Sequence, residues 1–239
     1  MNQNMIFKRY ELKFMISQDQ KKKIIEAMLP YMRIDKYGHA TIRNIYFDTC
    51  DSRLIRRSIE KPEYKEKLRM RAYGLPGQSG DVFVEIKKKY KHVVYKRRIT
   101  LPLDIAEATI CRGEDIPNDC QIAKEINYFL HFYSGLRPAL YLSYEREAFY
   151  SVDNSDFRVT FDENIRYRDT DISLKKGVWG NKVLDSDKVI MEVKTSGGIP
   201  LWMTSLLSEM KIYKTSFSKY GEAYKDMICG LQERGLKYA

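Results

Sequence analysis

Between Glu63 and Tyr73, the cations Lys65, Lys67, Arg69 and Arg71 occupy every second position, and Leu68, Met70 and Ala72 fill the alternate ones. Successive side chains of an extended chain point to opposite faces, so the four cations share one face of a strand. Ammonium and guanidinium groups form charge-assisted hydrogen bonds with phosphate oxygens, and arginine can do so with two bonds at once. The same split recurs along the chain. Arg9, Glu11 and Lys13 oppose Tyr10, Leu12 and Phe14; Glu85, Lys87 and Lys89 oppose Val82, Val84 and Ile86; Lys96 and Arg98 oppose Tyr95 and Ile99. Arg158, Thr160 and Asp162 oppose Phe157, Val159 and Phe161, and Glu192 and Lys194 oppose Met191 and Val193. A half-exposed sheet ordinarily shows mixed Ser, Thr, Asn and Gln outside, so charge this dense predicts a wet, phosphate-seeking lumen. The few carboxylates among the cations, Glu11, Glu85 and Glu192, suit a hard divalent cation that also takes phosphate oxygens.

Other chemistries find little support. No G-x-x-x-x-G-K-[ST] loop is present, and Gly197-Gly198 runs into Ile199-Pro200 rather than a helix start, so phosphate must be held by side chains. Cys50, Cys111, Cys120 and Cys229 form no C-x-x-C pair, which argues against zinc and a disulfide framework and for reduced thiols in the cytoplasm. His39, His92 and His131 share no ligand spacing. Lys87-Lys88-Lys89 resembles a nucleic-acid patch, yet alternation sends Lys88 away from its neighbours, and nucleic acid is not the expected partner.

These strands need elements to hold them. Ser17 and Gln20 form a capping-box pattern ahead of Ile24, Ile25, Met28 and Leu29 at helical spacing. A strand from about Ala40 to Asp48 leads to a short helix with Leu54, Ile55 and Ile59, closed by Pro62. Glu63 to Tyr73, Val82 to Lys89 and Val93 to Leu101 then read as a meander, with turns at Gly74 to Gly80 and around Lys91-His92. Asp104 to Ser134 reads as helical outer packing, and strands return at Pro138 to Ser151, Phe157 to Asp162 and Val189 to Lys194. The loop Leu174 to Asp187 is long enough to be a lid or a disordered insertion. In Pro138 to Ser151, Leu140, Leu142, Tyr144 and Arg146 share a face, which leaves open a strand half in a lumen or a β-bulge. Two helices, Leu201 to Met210 and Lys219 to Leu231, close the chain. The expected fold class is α+β: a closed antiparallel β-barrel of about eight strands with helices on its outside.

Across 239 residues nothing reads as a linker, so one domain spanning residues 1–239 is expected. A hydrophobic fraction of 44% supplies a core and excludes wholesale disorder. The formal charge of +10 points to a polyanionic partner, and no segment offers the roughly 20 apolar residues of a membrane helix.

Arg9 to Lys13 (RYELK), Tyr46 to Thr49 (YFDT), Lys67 to Arg71 (KLRMR), Val84 to Lys87 (VEIK), Tyr144 to Phe149 (YEREAF), Met191 to Lys194 (MEVK) and Ser216 to Tyr220 (SFSKY) occur in this order. Together they resemble the VTC domain, the polyphosphate polymerase module of the vacuolar transporter chaperone complex, within the triphosphate tunnel metalloenzyme superfamily. The resemblance covers nearly the whole chain. It implies a tunnel that binds ATP and, with Mn²⁺ or Mg²⁺, moves the terminal phosphoryl group onto a growing polyphosphate. It implies Lys13, Arg69, Arg71, Lys87, Arg146 and Arg158 as phosphate ligands and Glu192 as metal ligand, with Tyr144, Ser218 and Lys219 as further substrate contacts. Glu11 and Glu85 join the metal set, and Arg9, Lys67, Lys89, Lys96, Arg98 and Lys194 the substrate-binding set, by their place on the charged faces. Two departures bear on function. Arg9 stands where many tunnel enzymes carry the first Glu of E-x-E-x-K, which resembles the polymerase branch, and Ser216 stands where that branch tends to carry Lys. A triphosphate hydrolase of the same fold and a non-catalytic polyanion or nucleotide sensor remain the alternatives, and a membrane-bound partner stays open.

Overall fold

The computed structural model describes residues 10–77, 80–91, 93–153 and 156–233. The elements run β1 (Tyr10–Ser17), α1 (Gln18–Met28), β2 (Met32–Asp48), α2 (Arg53–Ile59), β3 (Tyr64–Tyr73), β4 (Asp81–Tyr90), β5 (Val93–Pro102), α3 (Leu103–Arg112) and α4 (Gln121–Phe132). There follow β6 (Arg137–Ser151), β7 (Arg158–Arg168), β8 (Asn181–Lys182), β9 (Lys188–Thr195), α5 (Leu201–Glu209), β10 (Lys214–Thr215) and α6 (Lys219–Glu233). They fall into two compact units. Among the described residues, unit 1 draws on 10–40, 144–165 and 184–217, and unit 2 on 41–143, 166–183 and 218–233.

In unit 1 the strand order is β10-β1-β9-β7-β6. Its pairing is antiparallel, with Lys13 opposite Glu192 and Glu192 opposite Thr160. The apolar faces of these strands (Phe14, Ile16, Val159, Phe161, Met191, Val193) pack with Ile24 and Met28 of α1 and Met203 and Leu207 of α5. The capping box holds at α1. The Gln20 amide donates to Ser17 Oγ (3.1 Å), and the Ser17 amide donates to Gln20 Oε1 (2.9 Å), pairing two helix-end donors reciprocally.

In unit 2 the order is β6-β2-β3-β4-β5, with β8 added to β7. Leu68, Met70, Val82, Val84 and Ile86 pack against Leu103, Ala106 and Ile110 of α3 and Ala123, Ile126 and Phe129 of α4. The helices therefore cover the apolar face, and the alternating cations stand on the other. Glu66 also points to the apolar side and is buried, and its carboxylate accepts hydroxyl hydrogens from Tyr64 (2.6 Å) and Tyr133 (2.5 Å). A buried carboxylate is tolerated when its oxygens find donors.

Several expectations are corrected. Among the described residues the sheet has ten strands rather than about eight, and its hydrogen-bonded order has two ends, β10 and β5, so it does not close into the expected barrel. The helical stretch from Asp104 to Ser134 is two helices, parted at Gly113, whose φ of 73° suits glycine. β2 begins at Met32, eight residues earlier than expected, through exposed positions with no alternation to reveal it. The loop after β7 is not a disordered insertion, and its first part is tied down by two arginines. Arg168 donates to the carbonyls of Asp171, Ser173, Gly177 and Trp179, and its guanidinium lies 3.5 Å from the Tyr141 ring centroid and 4.6 Å from that of Trp179. Arg43 adds a 2.6 Å bond to the Lys176 carbonyl. On β6 the residues Leu140 to Tyr144 are all buried, so both faces of that stretch are packed, and Arg146 rejoins the side of Tyr144.

Candidate active site

Each unit carries its own charged face. In unit 2 the strand register sets the side chains in rows: Lys65 opposite Lys89; Lys67 opposite Lys87 opposite Lys96; Tyr46 opposite Arg69 opposite Glu85 opposite Arg98; and Asn44 opposite Arg71. Ten of the expected site residues meet here, on β3, β4, β5 and the start of α6: Lys67, Arg69, Arg71, Glu85, Lys87, Lys89, Lys96, Arg98, Ser218 and Lys219.

The arginines are gripped from beneath. Arg69 Nε donates to Glu85 Oε2 (2.6 Å), Arg98 Nε to Glu85 Oε1 (2.5 Å), and Arg71 Nε to Asn44 Oδ1 (2.8 Å). Asn44 is itself fixed by donating to the Leu142 carbonyl at 3.0 Å. Lys96 Nζ lies 2.7 Å from Glu85 Oε1. Burial alone would push the Glu85 carboxyl up, but Arg69, Arg71 and Lys96 hold it well below the usual range, so it stays ionised. Burial, then Lys89, Lys61 and Lys87, lower the Lys65 ammonium, as expected where like charges crowd.

An aromatic pair belongs to this face as well. Tyr46 and Tyr220 stack with centroids 4.4 Å apart, and Lys67 Nζ lies 5.6 Å over Tyr220 and 3.3 Å from Ser218 Oγ. The Tyr220 hydroxyl donates to Asp48 Oδ2 (3.1 Å), and the same Asp48 carboxylate accepts the amides of Leu54 (2.8 Å) and Ile55 (2.9 Å) at the start of α2. Burial would raise the Tyr46 phenol, but the charges of Arg69, Lys67 and Arg71 outweigh it and bring it down to about 8.

In unit 1 the rows are Glu11 opposite Lys194 opposite Arg158, and Lys13 opposite Glu192 opposite Thr160. Lys13 Nζ donates to the Phe217 carbonyl (2.9 Å) and lies 3.6 Å from both Glu11 and Glu192. Lys194 lies 3.9 Å from Glu11 and 3.7 Å from Glu192. Arg146, over the Tyr144 ring at 5.2 Å, forms a two-pronged pair with Asp162 at 2.6 Å for each bond and reaches Glu192 at 3.4 Å. Burial would lower this guanidinium, but Tyr144, Asp162 and Glu192 raise it well above its ordinary value. Lys13, Glu11, Tyr144, Arg146, Arg158, Glu192 and Lys194 are thus brought onto one face. Arg9 lies outside the described residues.

Among these contacts, six residues have a part that sequence reasoning did not assign: Asn44, Tyr46, Asp48, Tyr220, Thr160 and Asp162. Asn44, Tyr46 and Asp48 alternate with Ile45 and Phe47 as the cations do elsewhere, so their shared face was a readable signal. Asp162 was visible on the face of Arg158, but its pairing with Arg146 depends on which strands adjoin.

The family model for the VTC domain matches residues 8–228. The chain belongs to the VTC domain family. Solved structures share the fold of this VTC domain at low identity. A candidate adenylate cyclase from Bacillus halodurans is 16% identical with a TM-score of 0.55, covering 87% of this chain and 92% of that one. A candidate adenylyl cyclase from Hippeastrum, for which a dominant triphosphatase activity is described, is 13% identical with a TM-score of 0.54, covering 96% and 97%. A candidate adenylate cyclase from Vibrio parahaemolyticus is 11% identical with a TM-score of 0.52, covering 90% and 97%. No curated protein sequence matches the chain.

The carboxylates of this VTC domain differ in their fitness for a metal. Lys13, Arg146 and Lys194 stand 3.4 to 3.9 Å from Glu11 and Glu192, and two carboxylates completed by phosphate oxygens are an ordinary magnesium-type donor set. Glu85 instead meets its cations at 2.5 to 2.7 Å. His39, Glu147 and Glu163 also place ligand atoms within 4.8 Å of one another, but the buried Lys21 ammonium stands 3.3 Å from Glu147 and 3.2 Å from Glu163 and supplies the cation there.

Proposed function

We propose that this VTC domain is a metal-dependent polyphosphate polymerase that breaks the β–γ bond of ATP and joins the terminal phosphoryl group to a growing polyphosphate chain. The observation that supports this is the ladder of cations on unit 2, from Lys65 and Lys89 through Lys67, Lys87 and Lys96 to Arg69 and Arg98. Rows two residues apart are separated by roughly 6.6 Å along a strand, and neighbouring strands by about 4.8 Å, so the ladder offers repeated cations to a linear polyanion. A single phosphate would need one such row.

Phosphoryl transfer asks for positioning and charge neutralisation more than for covalent help. The end of a phosphate chain is already an anionic nucleophile, so no Ser or Cys relay is needed. Like charges at ~4 Å repel by about 4 kcal/mol at an effective dielectric of 20, and the lysines and arginines offset that repulsion. In this scheme Lys67, Lys87, Lys89, Lys96, Arg69, Arg71 and Arg98 bind and orient phosphates, with Ser218 and Lys219 beside them. Lys13, Arg146, Arg158 and Lys194 neutralise charge on unit 1, where Tyr144 adds a hydroxyl and Glu192 and Glu11 would hold Mn²⁺ or Mg²⁺. When bound, that ion withdraws charge from phosphoryl oxygens. Among the described residues no helix is long and apolar enough to cross a membrane. Cys50, Cys111, Cys120 and Cys229 are free thiols, which supports a reducing site of action such as the cytoplasm.

A hydrolase that hands the same phosphoryl group to water is the second reading, favoured by the triphosphatase activity described for the Hippeastrum protein. Arg9, at the position of a hydrolase metal-site glutamate, favours the polymerase. Incubation with ATP and Mn²⁺ or Mg²⁺, with products resolved by gel and phosphorus NMR, decides between them. Long chains are expected. Orthophosphate alone would make the domain a hydrolase, and unchanged ATP with measurable affinity would make it a sensor.

A further inference from the structure

Deleting a negative charge from an anion-binding surface should by simple Coulomb reasoning tighten anion binding. The surroundings of Glu85 point the other way. Glu85 sits on β4, the strand between β3 and β5, and shares a row with Arg69 and Arg98. It is 1% exposed. Oε2 takes Arg69 Nε at 2.6 Å, while Oε1 takes Arg98 Nε at 2.5 Å and lies 2.7 Å from Lys96 Nζ. A carboxylate offers about four lone-pair directions, and three are met here by charged donors. A divalent ion at this carboxylate would have to displace those donors and sit among cations.

We propose that Glu85 is a positioning residue, the internal anchor that fixes Arg69, Lys96 and Arg98 as one array toward phosphate oxygens, and that it is not a metal ligand. The proposal rests on the phosphate-binding reading of the unit 2 face. Both arginines are held by the Nε edge, which sets the plane of the guanidinium fork before any ligand arrives. Arg98 is further seated with its guanidinium 4.3 Å from the Phe83 ring centroid. Binding then costs less side-chain ordering, because the forks are already fixed. The same grip recurs where Asn44 holds Arg71 and where Asp162 holds Arg146.

The test is calorimetric titration of the full chain with inorganic tripolyphosphate, once with EDTA and once with Mn²⁺, for wild type and Glu85→Gln. Arginine Nε–H NMR spectra are recorded without ligand, and folding is checked by circular dichroism. Glu85→Gln is expected to bind tripolyphosphate about tenfold more weakly in both conditions, because three charge-assisted contacts lose their acceptor charge. The protected Nε–H signals of Arg69 and Arg98 should be lost as well. Equal or tighter binding by Glu85→Gln overturns the proposal, and so does a loss confined to the Mn²⁺ samples, which would make Glu85 a metal ligand. Nε–H signals that survive in Glu85→Gln overturn the anchoring alone. Wild type that takes up no tripolyphosphate overturns the phosphate reading and, with it, the array's ligand. Should Glu85→Gln not fold, Glu85→Asp keeps the charge one methylene short; it is expected to bind metal-free tripolyphosphate more weakly, and wild-type affinity would overturn the proposal.

Discussion

Tyr46 is a phenol set among guanidinium groups, and its hydroxyl lies 3.4 Å from Arg69 Nη1. With its pKa at about 8, it is neutral below that pH and becomes a phenolate above it, cancelling one unit of the charge of Arg69, Lys67 and Arg71. Tripolyphosphate affinity is therefore expected to fall as pH rises through about 8. Tyr46→Phe, which keeps the stack on Tyr220, should remove that limb; an unchanged pH profile would count against it. The folded value lies below the ordinary 10.0 of tyrosine, so the linked contribution to stability grows from about pH 8 to 10, and the Phe variant should lack it in alkaline unfolding titrations. In unit 1, Glu192→Gln is expected to cut metal-dependent turnover by ~10²- to 10³-fold, as loss of one preorganised charge does, with the circular dichroism unchanged. Undiminished turnover would remove Glu192 from the proposed metal-binding set. The identities of Lys67, Arg69 and Arg71 as face-sharing cations could be read from spacing alone. The holding of Arg71 by Asn44 could not, because an alternation of two fixes the face of a side chain but not the neighbour across the strand gap.

Among elements, α1 was readable to its first hydrogen bonds, since a capping box is local and its partners lie three residues apart. The start of α2 was readable in place, next to Ser52, but not in its hydrogen bonds. Ser52 precedes it in a left-handed conformation with no side-chain cap, and Asp48, several residues upstream, accepts the amides instead. β3 and β4 were readable as strands, but closure of the sheet was not, since nothing local says whether β5 meets another strand. Glu66 broke the alternation unseen because its partner Tyr133 comes from the end of α4. Tyr133→Phe is expected to destabilise the protein by ~1–3 kcal/mol in urea unfolding, since it leaves a buried carboxylate short of a donor. A change under ~0.5 kcal/mol would mean that Tyr64 alone satisfies Glu66.

For the whole molecule, the formal charge of +10 was the broadest clue and is also testable as such. The Debye length falls from about 10 Å at 0.1 M salt to about 3 Å at 1 M, and most of the unit 2 cations are partly exposed. Tripolyphosphate affinity should drop at least about tenfold across that range; salt-independent binding would show that the cations do not carry it. The division of the chain into two units, each assembled from three separated segments, had no compositional boundary to announce it. One consequence follows from the Tyr46–Tyr220 stack and the Tyr220–Asp48 bond. As the polypeptide emerges from the ribosome, β2 to β5 appear long before Tyr220 does. The Tyr46 ring and the Asp48 carboxylate stand without their Tyr220 partner until α6 has been made, so a nascent chain that stops short of Tyr220 is expected to hold tripolyphosphate less well than the folded protein does.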